Sequence, residues 1–311
     1  MKVALTIILG LVVVLASVIT WQHQRYASAR LQYVQDHQTA FYGADTFHAL
    51  IFFKVADDAD IIPMVSDLIT TLEARDAGKL IYVGQSAFTD GTTPVSQTQW
   101  SGAVLMQFAS RTSFDAVGES ESFKAALGRF ESTYIHGMER PGLLNIMMHQ
   151  ALLALAVMDR FTGGEAAEPL KAVEDEDLGS QVLPLREFEA RLRALAPVND
   201  EAVLVFNLSS AGTAEQQAAD ASYGRKMLTR MARGVHGPLH IGQAVSLDDQ
   251  SDFENVVLVY YPGANYFADL ITSTFFTGII GDKQLGKNLS MPTVPVLRQV
   301  REFQQSGGKS T

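Results

Sequence analysis

The sequence predicts an α+β fold in which one βαββαβ pattern occurs twice behind an N-terminal transmembrane helix. Three observations carry this reading. Residues 253–270 superpose without a gap on residues 100–117, an offset of 153 positions. The same offset places 201–206 on 48–53, and Ser273, Phe276 and Gly281 on Ser120, Phe123 and Gly128, whereas Gly242-Gln243 matches Gly84-Gln85 at 158. Residues gained in one segment are thus lost in the next, and a period of this length indicates a duplicated domain, because solenoids and propellers repeat at roughly 20–50 residues. Ahead of both copies, residues 3–20 form an almost unbroken apolar run.

That run opens the chain. At about 1.5 Å per residue it reaches roughly 27 Å, close to the thickness of a bilayer core, and Trp21 follows where an interface would lie. Ala27-Ser28-Ala29 has the small-x-small form of a signal-peptide cleavage site but stands beyond Trp21 and Arg25, so an uncleaved anchor over 1–21 is expected. A short tail before a large body implies an inner-membrane signal anchor with the body in the periplasm or outside the cell. Residues 22–45 read as a helical stalk.

The first copy, 46–141, begins with a strand over 48–55. A helix over 60–77 follows, with Ile61, Met64, Val65, Leu68 and Leu72 at helical spacing, Pro63 in its first turn and Gly78 just past its end. Strands over 79–87 and 100–109, a helix over 113–130 and a strand over 132–138 complete it. In the connector, 142–199, the segment 143–161 is apolar nearly all round except for Asn145, His149 and Gln150; a second membrane span is the alternative, but those polar residues and the return of the second copy to the same side favour a buried bridging helix. Gly163-Gly164, the acidic run 174–177 and an amphipathic helix over 185–195 come next. The second copy, 200–300, opens its first helix with a capping box, Thr213 and Gln216. Strands near 238–246 and 253–261, a helix near 265–281 and a strand near 291–297 follow, and 301–311 reads as a disordered tail.

The 311 residues carry a net charge of −10 with their basic residues scattered singly, which excludes a nucleic-acid partner that needs phosphates neutralised. With no cysteine there is no disulfide, thiolate nucleophile or cysteine-based zinc site. No glycine cluster matches a phosphate loop or dinucleotide fingerprint, and no nucleophile elbow is present. The acidic run lacks the alternating pattern of a calcium loop, and His236 and His240 flank Gly237-Pro238, which denies them one helical face for a metal. Neither a metal nor a cofactor is expected.

A βαββαβ unit folds as a four-stranded antiparallel sheet with both helices on one face, and the other face needs a cover. A second copy in the same chain supplies it, giving a monomeric pseudo-dimer. Successive strand residues face opposite sides. Ala49, Ile51, Phe53 and Val55 should therefore face the helices and His48, Leu50, Phe52 and Lys54 the second sheet, with Glu201, Val203, Val205 and Asn207 as counterparts. The same logic pairs Tyr82 with His240 and Gln107 with Tyr260, and alternates Tyr134, His136 and Met138. Lys54, Tyr82, Gln107, Tyr134, His136, His240 and Tyr260 are thus placed around a cavity between the sheets. The plainer alternative has these groups completing the sheet-to-sheet contact by bonding one another.

On the element order, on Trp100 before Val104-Leu105 and Phe253 before Val257-Leu258, on Phe114 and Phe267 at the following helix starts, and on the repeat, residues 48–141 and 201–297 resemble the ferredoxin-like dimeric α/β-barrel superfamily, close to its small uncharacterised members. The resemblance implies two ferredoxin-like units packed sheet to sheet as an intrachain barrel. That superfamily includes cofactor-free quinone-forming monooxygenases, small lactone isomerases, and haem-degrading and haem-dependent enzymes. It implies a competing enzyme reading, in which His136 or His240 acts as general base while Tyr or Gln side chains hold a substrate oxygen. Haem held by one histidine is a third reading. No catalytic motif of these enzymes is matched, so the expected function is membrane-anchored binding of a small, largely apolar ligand inside the barrel.

Overall fold

The structure, a computed structural model, describes residues 2–30, 34, 41–56, 60–73, 78–162, 168–178, 182–234, 236–247 and 253–307. Helix α1 (Lys2–Arg30) is continuous, and its segment Leu5–Ala29 is long and apolar enough to cross a membrane. No break separates an anchor from a stalk at residue 21. Of the expected stalk, 22–30 prolong α1, 41–46 are not helical, and 31–33 and 35–40 lie outside the described residues.

The first half runs β1 (Phe47–Lys54), α2 (Ile61–Glu73), β2 (Gly78–Ser86), the short β3 (Asp90–Gly91) and α3 (Pro94–Gln97), β4 (Gly102–Phe108), α4 (Arg111–Gly118), α5 (Glu121–Leu127) and β5 (Ser132–Glu139). The connector holds α6 (Leu144–Phe161), α7 (Asp175–Leu178) and α8 (Val182–Leu195). The second half runs β6 (Val203–Ser209), α9 (Ala214–Ala232), β7 (Gly237–Val245), β8 (Asn255–Tyr261), α10 (Ala264–Ile271), α11 (Thr274–Thr277), a 3₁₀ turn (Ile280–Asp282) and β9 (Asn288–Pro295), and α12 (Leu297–Gln305) closes the description. The single helices expected over 113–130 and 265–281 are each interrupted. Ser120 and Ser273 accept hydrogen bonds from the backbone N–H groups of Phe123 and Phe276, and so start a second helix where the first ends.

Strand order is β2-β4-β1-β5-β7-β8-β6-β9, and β2 pairs with β9, so eight antiparallel strands close into a barrel with β3 appended to β9. Within each half the order is that of a ferredoxin-like sheet. Leu50, Phe52, Leu105, Leu204, Phe206, Leu258 and Met291 pack inside the barrel. Ala49, Ile51, Phe53 and Val104 face α2, α4 and α5 outside it, and Val203, Val205 and Val259 face the helices of the second half.

The strand faces expected in the first half are the observed ones except at Lys54, but those of β6 are inverted. Val203 and Val205 point outward and Leu204, Phe206 and Leu208 inward. The cause is register. His48 pairs with Gln107 and Leu204 with Tyr260; Gln107 and Tyr260 are 153 apart as the alignment requires, whereas His48 and Leu204 are 156 apart. An error of three residues on a period of two exchanges the faces. In the second strands the alignment is correct to the residue, because a β-bulge interrupts β2 between Leu80 and Tyr82 and β7 between Pro238 and His240, at an offset of 158.

Two other expectations fail. Residues 301–305 are helical where a disordered tail was expected, because α12 buries Leu297 and Val300 against the α2 side of the core, and Arg301 clasps Glu73 through two bonds of 2.9 and 2.7 Å. The final strand accordingly ends at Pro295 rather than 297. Helix α6 is not a buried bridge either. It buries His149, Leu152 and Asp159, while Leu143, Met147, Met158 and Phe161 are exposed.

Candidate functional site

The inward strand positions converge as the alternation requires, but side chains fill the space. Phe52 lies at the centre, with ring centroids 5.7 Å from Phe206, 5.9 Å from Tyr134 and 6.3 Å from Trp100, and Tyr82 is 5.8 Å from Phe206. These are ordinary aromatic packing separations. The fully buried Tyr82 donates to Thr293 Oγ1 at 2.8 Å, and Thr293 donates to the Leu204 carbonyl at 2.8 Å. Burial drives the Tyr82 phenol far above its usual range, against the smaller opposing effect of the Thr293 bond, so it stays a neutral donor. Its ring needs the bare backbone of Gly84, where a Cβ would stand 2.3 Å from the phenol oxygen. Tyr82→Phe leaves Thr293 bonded to Leu204 and is expected to cost about 1 kcal/mol, measured by urea denaturation.

One end of the barrel is polar. His48, His240 and Arg140 are buried there, and His136, paired with Leu50, is buried further along β5. The His48 and His240 rings lie 5.7 Å apart, Tyr134 Oη is 3.1 Å from His136 Nδ1, and Arg140 bonds His240 Nδ1 while its guanidinium sits 4.3 Å from the Tyr42 ring. Arginine has only donors, so His240 Nδ1 accepts and its proton resides on Nε2. Burial lowers the His136 imidazole to about 4, which leaves it neutral at ordinary pH. Two groups therefore form: Tyr134 bonds His136, and His240 joins His48 and Arg140. Gln107 lies half-buried beside this end, across from His48.

Tyr260 faces the apolar interior, and its hydroxyl donates to the Glu201 carbonyl at 3.4 Å. Lys54 does not join the interior: as the last residue of β1 it reaches the barrel rim and pairs with Glu131. Arg140 and Tyr42 were missed, although continuing the alternation of Tyr134, His136 and Met138 by one step reaches Arg140. These groups contact one another around the charged Arg140 guanidinium. A planar macrocycle has no place among these contacting rings, so the interior does not fit haem. Among the described residues no three His, Asp or Glu side chains are grouped to hold a metal.

A cavity of 590 Å³ lies outside the barrel instead, between the connector and the second half. Phe88, Leu185, Phe188, Phe267, Ile271 and Phe276 wall it, and Phe88 and Phe188 stack at 4.2 Å along one side. Its polar foot is Lys283, half-buried, whose Nζ donates to Asn207 Oδ1 at 3.4 Å while Ser290 donates to the same oxygen at 3.1 Å. Burial lowers the Lys283 ammonium, and Asp90 and Asp220 oppose that shift. Asn207 serves this cavity because β6 turns it outward. The size falls within the range of small-molecule sites, roughly 300–1,000 Å³, and the walls are mainly apolar with few polar groups, as such sites are. No sequence periodicity announces it, since the connector forms one wall and a loop residue the foot.

No family model matches the chain, and no curated protein matches it in sequence. Among solved structures it is similar to a candidate monooxygenase from Lactobacillus acidophilus NCFM, at 9% identity and a TM-score of 0.36 over 81% of this chain and 94% of that one. A chlorite dismutase variant from Candidatus Nitrospira defluvii aligns at 10% identity and a TM-score of 0.40 over 86% of this chain and 99% of that one. A dimeric protein of unknown function and ferredoxin-like fold from Bacteroides fragilis NCTC 9343 aligns at 19% identity and a TM-score of 0.22 over 32% of this chain and 99% of that one. These likenesses are distant. With its strand order, its closure and its two ferredoxin-like halves, the fold is a dimeric α/β barrel formed within one chain.

Proposed function

We propose that the protein is a membrane-anchored monomer, its body on the extracytoplasmic side, that binds a small, largely apolar ligand in the cavity between the connector and the second half. The observation that carries this reading is the 590 Å³ space walled by Phe88, Leu185, Phe188, Phe267, Ile271 and Phe276. The ligand site moves from the barrel interior, where rings leave no room, to its outer surface. Retention of the anchor is supported by Tyr26, which is fully buried and donates to the Gly234 carbonyl at 3.1 Å, so that the last turns of α1 belong to the body. Cleavage after Ala29 would remove that contact. A duplicated origin for the halves is supported by their matching bulges and helix interruptions.

Leu185→Glu tests the site. The side chain is half-buried on α8 at the cavity wall, so the substitution places a carboxylate against apolar surface without removing a core residue. Binding of the apolar dye N-phenyl-1-naphthylamine to the full chain in detergent, followed by fluorescence titration, should weaken at least about tenfold, equivalent to about 1.4 kcal/mol. Equal binding by both proteins, or none by the wild type, would refute the proposal.

A further inference from the structure

Helix α6 offers the solvent a single apolar stripe. Leu143, at its N-terminal boundary, then Met147, Ala151, Ala154, Met158 and Phe161 are all exposed at intervals of three or four residues, and so fall on one helical face. Phe161 is 85% exposed, and no charged residue occurs between Arg140 and Asp159. The other side of the helix is committed to the body: Leu152 packs with Tyr26 and Ala232, and the buried Asp159 accepts from Arg233 Nε at 2.8 Å.

The stripe has a definite height relative to α1. Gln150 donates to the Ile19 carbonyl at 3.4 Å, Gln22 donates to the His149 carbonyl at 3.4 Å, and the Tyr26 ring stacks on His149 at 4.6 Å. Ile19 ends the apolar run. Trp21 is 55% exposed just beyond it, with the Arg25 guanidinium 5.9 Å from its ring, a pairing suited to the headgroup level of a bilayer. The middle of α6 is thereby pinned where the apolar core of a membrane crossed by α1 gives way to headgroups. Phe41, 63% exposed, extends the same surface, because the neighbouring Tyr42 N–H donates to the Gly142 carbonyl at 3.1 Å, next to the start of α6. Arg160, exposed beside Phe161, suits the phosphate level at the other end.

We propose that α6 is a second membrane contact, lying in the interface with its stripe among the outer acyl segments of the bilayer that α1 crosses. The inference rests on the anchor reading, and it adds that the body lies against the lipid surface instead of hanging from a tether. With a net charge of −10 the chain gains nothing from anionic headgroups, so the stripe acts by apolar burial and suits a zwitterionic phospholipid surface. A second copy of the chain is the other occupant such a face could take.

The absence of native cysteine makes the test direct. Leu11→Cys in the anchor, Met147→Cys and Phe161→Cys in the stripe, and Lys124→Cys on an exposed face of α5 each receive one environment-sensitive fluorophore. The full chain is then reconstituted in phosphatidylcholine vesicles, with a quencher carried on the acyl chains or with iodide in the water. The Leu11, Met147 and Phe161 labels should each lose at least half of their emission to the lipid quencher, and the Lys124 label should lose its emission to iodide alone. Quenching of Leu11 by lipid while Met147 and Phe161 answer only to iodide overturns the interfacial contact and leaves the anchor standing. Stripe labels shielded from both quenchers, and exposed to iodide on dilution of protein in lipid, overturn it in favour of a second copy. Failure of the lipid quencher at Leu11 removes the anchor reading and this inference with it.

Discussion

Lowering the pH from about 6.5 to about 4 removes about 3 kcal/mol of folding stability through His136 alone. The unfolded chain carries this imidazole near 6.5, whereas burial holds it at about 4 in the fold. Between those values the unfolded state binds a proton that the folded state refuses. The contribution is complete above 6.5 and declines as the pH falls towards 4. Carboxylates titrate in the lower part of that window, so the measurement is a difference: urea denaturation of the wild type and of His136→Gln at a series of pH values. The stability gap between the two should narrow or reverse on acidification by about 3 kcal/mol. A gap independent of pH would show that His136 meets protons equally in both states.

Phe206→Ala should be the more damaging single change, costing about 3–5 kcal/mol in the same assay. Its ring is fully buried between Phe52 and Tyr82, drawn from the opposite half, so truncation opens a void at the centre of the barrel that closed strands cannot collapse to fill. Phe161→Ala, at 85% exposure, provides the contrast and should change stability by less than about 0.5 kcal/mol in detergent. A small loss for Phe206→Ala would mean that the barrel interior repacks freely.

The βαββαβ order was legible because turn residues, caps and hydrophobic periods agree along each half. Strand faces were legible in β1, where His48 breaks the apolar alternation at one end and Lys54 at the other. They were not legible in β6, whose Val203, Leu204, Val205 and Phe206 are apolar on both faces and admit either parity. An offset taken from β4 and β8 then chose wrongly by three residues. Tyr134, His136 and His240 could be assigned to inward positions because a polar side chain inside a barrel stands out against its neighbours, although His240 meets His48 and Arg140 and not the other two. Lys54 shares their parity, yet strand ends leave the interior and its charge finds Glu131 at the rim. The cavity with Leu185 and Lys283 was beyond reach, because it depends on how a connector helix settles on a finished barrel. The apolar character of α6 was visible in the sequence, but composition alone does not say which of its residues pack on the body and which stay exposed.

The barrel is unevenly stitched. Seven paired positions join β6 to β8 and seven join β1 to β4, whereas the two halves meet through three pairs between β5 and β7 and three between β2 and β9. The lines between the halves therefore carry fewer ladder bonds, and the halves are held to each other mainly by the apolar interior they share. Two chains side by side satisfy the same short seams if they trade halves, each first half closing on its neighbour's second, without altering a single pairing register. Holding both halves on one continuous chain keeps the correct partner at high effective concentration, and the covalent connector thus does for fidelity of assembly what the short seams do not.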